Sequence, residues 1–171
     1  VVDTEWWDVI DEAGDPTGET YRRGANDWPA GRFHLIVATA VVRTDGSVLL
    51  TRRAATKEFA LAWEFPGGSA LAGESSRRAA RRELHEETGL LVPTDSLRPV
   101  GRFTEASALL DMYLAPVHGV PDVTPDGVEV DRAEWVSWNE VEARLRAGRM
   151  AEPWTDRLRA LLKPLRRIAG P

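Results

Sequence analysis

The chain has 171 residues, 43% of them hydrophobic, enough to build the core of one domain. Its 27 acidic and 22 basic residues leave a formal net charge of −5, which argues against a general electrostatic grip on DNA or RNA. Cysteine is absent, so disulfides, thiol chemistry and cysteine-ligated zinc are excluded.

The stretch Val1 to Glu5 has the features of neither a signal peptide nor a transit peptide, and no apolar run approaches a membrane span. The expectation is a cytoplasmic protein with no membrane partner. Trp6 to Ile10 reads as a strand, Asp11 to Gly18 as a turn-rich connection, and Glu19 to Arg23 as a returning strand, which together make an N-terminal β-hairpin. Exposed indoles at Trp6 and Trp7 would suit a homodimer contact. Asn26 to Gly31 is a loop in which Trp28 packs. His34 to Arg43 is a continuous apolar run, the pattern of a strand covered on both faces, and Thr44 to Ser47 turns it into a second strand, Val48 to Arg53. Arg52 and Arg53 would point to opposite faces, so at most one of them can reach a phosphate in a site on this sheet. Ala54 to Ala62 is a connecting loop that contains Lys57. In Trp63-Glu64-Phe65-Pro66-Gly67-Gly68, proline and two glycines shape a tight backbone, and Phe65 is a candidate both for the core and for substrate contact.

Ser75 to Thr88 contains neither Pro nor Gly, begins with serines where caps belong and is followed by Gly89 where a C′ residue is wanted, so it predicts a helix. At about 100° per residue, Glu83, Glu86 and Glu87 crowd one edge while Ala80, Leu84 and Thr88 make the adjoining stripe that faces a core. Like charges at that spacing destabilise a helix unless something positive lies among them. A solvated face salt-bridged through Arg78, Arg82 and Glu86 is one solution, and a divalent cation is the other. Oxygen ligands without His or Cys favour Mg²⁺ or Mn²⁺, whose shells are commonly completed by phosphate, so the implied partner is a small molecule that carries phosphate.

Leu97 to Thr104 and Ala108 to Val117 read as strands joined by a hairpin turn at Glu105 to Ser107. Gly119 to Gly127 is a loop, and Trp135 to Val141 passes from a last strand into a helix capped by Ser137 and ended by Gly148. Pro153 opens a final helix, Trp154 to Ile168, expected to kink or break at Pro164, with Leu158, Leu161, Leu162 and Leu165 closing the core.

From Gly68 to Leu90, the residues Gly68, Glu74, Arg82, Glu83, Glu86, Glu87 and Gly89 stand at every required position of G-x5-E-x7-R-E-U-x-E-E-x-G-U, with U aliphatic. Here the chain resembles the Nudix hydrolases, and the likeness extends through the W-E-x-P-G-G lead-in. The resemblance implies an α/β/α sandwich with a central mixed sheet, and divalent-metal-dependent hydrolysis of a diphosphate linked to another moiety. Residue by residue it implies Glu83, Glu86, Glu87 and the Gly68 carbonyl as metal ligands, Arg82 as a clamp on the acids, and Glu74 as a supporting acid. Glu83 or Glu129 is the implied base, with Glu134 a nearby rival to Glu129. The hairpin belongs to a 1–30 extension and the fold's core to 33–168 of one 1–171 domain. The extension is similar to the lead-in of isopentenyl diphosphate isomerase-like relatives, but an isomerase needs a catalytic cysteine that this chain lacks. An isoprenyl diphosphate therefore remains an alternative substrate rather than an alternative reaction. A ligand-binding module without catalysis is the alternative of a different class, and the complete box speaks against it. A nucleotide derivative is the expected substrate, with Trp28, Phe33, Phe103, Tyr113 and Trp154 available to hold a base or an apolar tail.

Overall fold

The computed structural model describes residues 4–170. Val1 to Asp3, part of the stretch examined for a leader, and Pro171 lie outside them. Strands β1 (Trp6–Ile10) and β2 (Pro16–Arg22) form the antiparallel hairpin, with Trp6 opposite Arg22 and Ile10 opposite Pro16. The returning strand starts earlier than the expected Glu19. The reason is local: Asp11 Oδ1 accepts from the backbone N–H of Ala13 and of Asp15 (both 2.9 Å), which closes the turn within Asp11–Asp15.

The second sheet has seven strands: β3 (His34–Arg43), β4 (Val48–Arg53), β5 (Trp63–Glu64), β6 (Gly67–Ser69), β7 (Arg98–Thr104), β8 (Ala108–Val117) and β9 (Val130–Val136). Its main path runs β5-β4-β3-β8-β7, with β6 on β3 and β9 on β4. β3 and β8 pair in parallel over ten residues and every other pairing is antiparallel, so the sheet is mixed. β3 and β4 share the register pair Val42–Val48 and then diverge; β6 takes the freed edge of β3 at Ile36–Ala38, and β5 takes the facing edge of β4. The tight backbone expected over Trp63 to Gly68 is thus part of two short strands laid into this opening.

Alternation along β3 explains the layers. Ala38, Ala40 and Val42 face one side, packed with Leu158, Leu161 and Leu165, and Val37 and Val41 face the other, packed with Ala79, Ala80 and Leu84. Helix α1 (Ser76–Thr88) covers the second side, while α2 (Trp138–Arg146) and α3 (Trp154–Ala169) belong to the first. The α/β/α sandwich follows from a strand that is apolar on both faces. Helix α3 runs unbroken through Pro164. The expected break does not occur because Leu161 and Leu165, both buried, hold the helix to the sheet on either side of the proline, and that packing offsets the hydrogen bond it removes. Among the described residues no helix is long and apolar enough to cross a membrane.

The two N-terminal indoles part company, since successive strand residues face opposite sides. Trp6 is 47% exposed, whereas Trp7 stacks on His34 at 4.3 Å between ring centroids and meets Trp28 edge-on. The expectation of a paired exposed patch is corrected to a single exposed indole. His34 is held from its other side by the Ser107 carbonyl at 3.0 Å from Nδ1, a structural placement.

Candidate functional site

Helix α1 starts at Ser75, which has the extended backbone of an N-cap, and ends at Gly89, whose φ of 73° lets its N–H close onto the His85 carbonyl at 2.8 Å. These ends set the helix phase. Ala79, Ala80, Leu84 and Thr88 are buried against the sheet, and the next face carries Glu83, Glu86 and Glu87 into a cleft of about 390 Å³. His85 is exposed. Gly68, Arg82, Arg53 and Glu129 line the same cleft, so the four expected metal-ligand positions, the clamp and the second candidate base are brought together.

Arg82 ties the acids to one another. Its Nη1 donates to Glu83 Oε1 (2.8 Å) and Glu86 Oε2 (3.0 Å), its Nη2 to Glu74 Oε2 (2.8 Å) and the Ser69 carbonyl (3.1 Å), and its Nε to Glu74 Oε1 (3.0 Å). Burial opposes the guanidinium charge, but the bonds to Glu74 and the field of Glu83 hold its pKa well above the ordinary value. Glu74 is in turn kept below the usual carboxylate range: its burial works the other way, and the Arg82 bond and the Leu71 N–H outweigh it.

The two inner glutamates lie against the glycines of β6. Gly67 N–H donates to Glu87 Oε2 at 3.0 Å, and a Cβ on Gly68 would fall 2.6 Å from Glu83 Cδ. Burial pushes the Glu83 carboxyl up to about 7, with Glu86 and Glu129 adding to the shift and Arg82 opposing it. Glu87 is 5% exposed and is held well above the usual carboxylate range by burial, then by the charges of Glu64 and Glu83, with the Gly67 N–H as a counterweight. Glu64 is raised by burial against the field of Arg53. Among the described residues Glu87 has no ion-pair partner, and a buried carboxylate without one demands either a proton or a cation.

A hard divalent cation fits that demand: the donors are carboxylate oxygens and a glycine carbonyl, with no His or Cys among them. Among the described residues no three acidic side chains converge as a ready-made cluster, because Arg82 stands between Glu83 and Glu86 while Glu87 is turned to the Gly67 N–H. Of the three acids Glu86 is the most open, its side chain 56% exposed. Glu129 reaches the cleft from the Asp126 turn, where Asp126 Oδ1 accepts the N–H groups of Glu129 and Val130, and it pairs with Lys57 Nζ at 3.0 Å. Glu134, the rival acid, pairs with Arg132 and Arg144 and is absent from the cleft lining.

A second cavity of about 260 Å³ adjoins the first across Gly67, Gly68, Ser69 and Arg53, and is walled by Phe59, Glu64, Phe65, Trp154 and Arg157. The two arginines at the end of β4 diverge as alternation requires. Arg53 lines both cavities, bonded to Glu64 Oε1 (2.8 Å) and the Glu58 carbonyl (2.6 Å), while Arg52 lines neither and is held bidentately by Asp131 (2.9 and 2.8 Å). Arg52 is thus not brought to the site. Phe65 is 1% exposed and packs on Trp154 at 4.9 Å, so it belongs to the core, and it also stands in the lining of the second cavity. Of the five candidate aromatics, Trp154 lines that cavity. Sequence reasoning missed Glu64, Phe59, Glu5 and Arg23. Phe59 and Leu61 hold positive φ (53° and 61°) in the loop after β4, backbone strain that no local motif announces.

The family model for the NUDIX domain matches residues 32–158. A Nudix hydrolase of Listeria monocytogenes is 31% identical over 147 residues, 84% of this chain and 86% of that protein. An 8-oxo-dGTP diphosphatase of Haemophilus influenzae is 31% identical over 108 residues, covering 63% and 79%. An isopentenyl-diphosphate Delta-isomerase of Cutibacterium acnes is 28% identical over 167 residues, covering 85% and 81%. A crystal structure from Deinococcus radiodurans superposes with a TM-score of 0.76 at 23% identity, over 92% of this chain and 99% of that one, and so shares the fold.

Proposed function

The chain belongs to the Nudix hydrolase family, and from that premise we propose that it uses a divalent cation, Mg²⁺ or Mn²⁺, to hydrolyse the diphosphate of a nucleotide derivative. One observation carries the reading: Glu83, Glu86, Glu87 and Gly68 share one cleft in which the most buried acid, Glu87, has no ion-pair partner among the described residues. These four positions would hold the cation, which supplies charge neutralisation at phosphate and a more acidic water.

The protein's own groups account for the rest. Arg82 orients Glu83 and Glu86, and Glu74 holds Arg82 in turn. A carboxylate must take the proton of the attacking water. Glu83, with its pKa near neutrality, and Glu129, in the same cleft, are the candidates. Arg53 and Lys57 bring positive charge to the cleft for the phosphates. The second cavity would receive the other moiety against Phe59, the exposed aromatic of its lining, with Arg157 and Glu64 as polar contacts. A nucleotide is favoured by that aromatic wall and by the diphosphatase relative. Isomerisation is not favoured despite the isomerase relative, because the chain has no cysteine.

The test is release of phosphate and diphosphate with Mg²⁺ or Mn²⁺ across nucleoside triphosphates, nucleotide sugars, dinucleoside polyphosphates and prenyl diphosphates. Turnover of one class that vanishes in Glu86→Gln and Glu87→Gln supports the reading. Turnover equal in wild type and both variants would sink it, and binding without turnover would favour the ligand-binding module.

A further inference from the structure

The NUDIX match begins at residue 32, beyond the hairpin of β1 and β2. Yet the open end of that hairpin reaches the catalytic cleft, where Glu5 and Arg23 stand in the same lining as Arg82, Glu83 and Glu129. Its position is fixed by hydrogen bonds to backbone and side chain. Arg23 N–H donates to the Glu5 carbonyl (3.0 Å), Ala72 N–H to the Trp6 carbonyl (2.8 Å), and Gly73 N–H to Asp8 Oδ2 (2.7 Å). The last two come from the loop that leads into α1, so one short segment positions both the hairpin and the glutamate-bearing helix.

Four cations line the cleft, and each has an acidic partner. Arg82 and Arg53 are committed to nearly buried carboxylates, Glu74 at 14% and Glu64 at 11% side-chain exposure. Lys57 holds Glu129, a candidate base. Arg23 alone among the four pairs with an acid that has no other role in the site. That pair, Nη1 to Glu5 Oε2 at 2.5 Å, is open to solvent on both sides, 46% and 41% exposed, and exposed pairs exchange readily. The fields of Glu129 and Glu83 also reach the Arg23 guanidinium.

We propose that Arg23 leaves Glu5 to bind a phosphate of the substrate, which makes the N-terminal hairpin a working wall of the site. The proposal rests on the hydrolase reading for its ligand. A guanidinium fork matches two phosphate oxygens, and exchanging one exposed carboxylate for a phosphate keeps the cation paired throughout. Glu5 acts as a placeholder that competes with the substrate.

The experiment is calorimetric titration of imidodiphosphate, a non-hydrolysable diphosphate, with Mg²⁺ present, into wild type, Arg23→Ala, Arg23→Lys and Glu5→Gln. Arg23→Ala should bind about tenfold more weakly and Arg23→Lys in between, as expected for losing a charge-assisted bond. Glu5→Gln should bind more tightly, by about two- to threefold, because the competing carboxylate is gone. A purely structural pair would weaken binding in Glu5→Gln and Arg23→Ala alike, which overturns the proposal, as does unchanged affinity in Arg23→Ala. If wild type binds no imidodiphosphate, the phosphate site falls altogether. Turnover is read separately: binding that depends on Arg23 in a protein that turns nothing over would refute the hydrolase reading and leave the Arg23 site standing.

Discussion

The carboxyl group of Glu83 lies so close to Gly68 that a methyl there would sit 2.6 Å from its Cδ and Oε2. The neighbouring glycine is confined by backbone instead: a methyl on Gly67 would fall 2.1 Å from the Val37 carbonyl oxygen and 2.7 Å from Ala38 Cα. Adjacent glycines therefore serve different ends, one giving way to a side chain that can move and the other to a strand that cannot.

Gly68→Ala should fold nearly as well as wild type, within about 1 kcal/mol, because Glu83 can rotate away. It should lose turnover by about a hundredfold, since that rotation removes the carboxylate from its place. Gly67→Ala should lose roughly 2–3 kcal/mol of stability from overpacking against β3. Urea unfolding and steady-state kinetics on both variants separate the effects. Equal stability losses would show that the Glu83 carboxylate is as immovable as the β3 backbone.

Arg82 neutralises Glu74 and Glu83, whose side chains are each only 14% exposed, as well as the more open Glu86. Arg82→Ala strands two of these charges and should cost about 3 kcal/mol in unfolding free energy at pH 7.5. Arg82→Lys keeps a charge but cannot span Glu74, Glu83 and Glu86 at once, so it should recover only part. Mn²⁺ should restore stability to Arg82→Ala more than to wild type, because a divalent cation replaces the missing counter-charge. A smaller Mn²⁺-induced rise in melting temperature in Arg82→Ala than in wild type would refute this account of the clamp.

Much of this was legible from local pattern. The bounds of β3, β4 and β8 follow from apolar runs closed by turn residues, and α1 follows from the serines before it and Gly89 after it. That the acids of α1 share one edge needs only the helical period, and its phase is set by Ala80, Leu84 and Thr88 seeking the core. What was not legible depends on partners distant in sequence. β5 and β6 are two and three residues long and owe their form to the gap between β3 and β4. Alternation shows that Arg52 and Arg53 diverge, but not which turns inward; that is decided by Asp131 and Glu64. The Arg23–Glu5 pair likewise spans the hairpin, and no motif marks it.

The raised glutamates make the metal-free protein sensitive to pH in a definite direction. A carboxyl whose folded pKa lies above its unfolded value binds more protons folded than unfolded in the window between the two, so stability falls as pH rises through that window. For Glu83 the window runs from 4.5 to about 7, and the full loss is on the order of 3 kcal/mol, with Glu87 acting in the same sense. Metal-free protein should therefore melt at lower temperature at pH 8 than at pH 5.5, and Glu83→Gln should flatten the dependence. Added Mg²⁺ should raise the melting temperature more at pH 8 than at pH 6, because it binds the deprotonated acids. A melting temperature that rises with pH in both wild type and Glu83→Gln would contradict the assignment.

Arg53 and Arg52 offer a contrast within one strand end. Arg53 bonds Glu64, which is only 9% exposed, so Arg53→Met leaves a buried acid without its counter-charge and should cost about 3 kcal/mol. The double variant Arg53→Met with Glu64→Leu removes both charges and should regain most of that loss, as coupled neighbours do. Turnover should stay low in the double variant, because Arg53 also stands on the wall shared by the two cavities, where its charge would meet the phosphates of the proposed substrate. Arg52 pairs with Asp131 in the open, where solvent screens an ion pair, so Arg52→Met should change neither stability nor turnover appreciably. Unfolding midpoints and kcat/KM for the three variants decide the matter. Recovery of both stability and turnover in the double variant would mean that Arg53 serves only to neutralise Glu64. A large loss of turnover in Arg52→Met would mean that the outward arginine reaches the substrate after all.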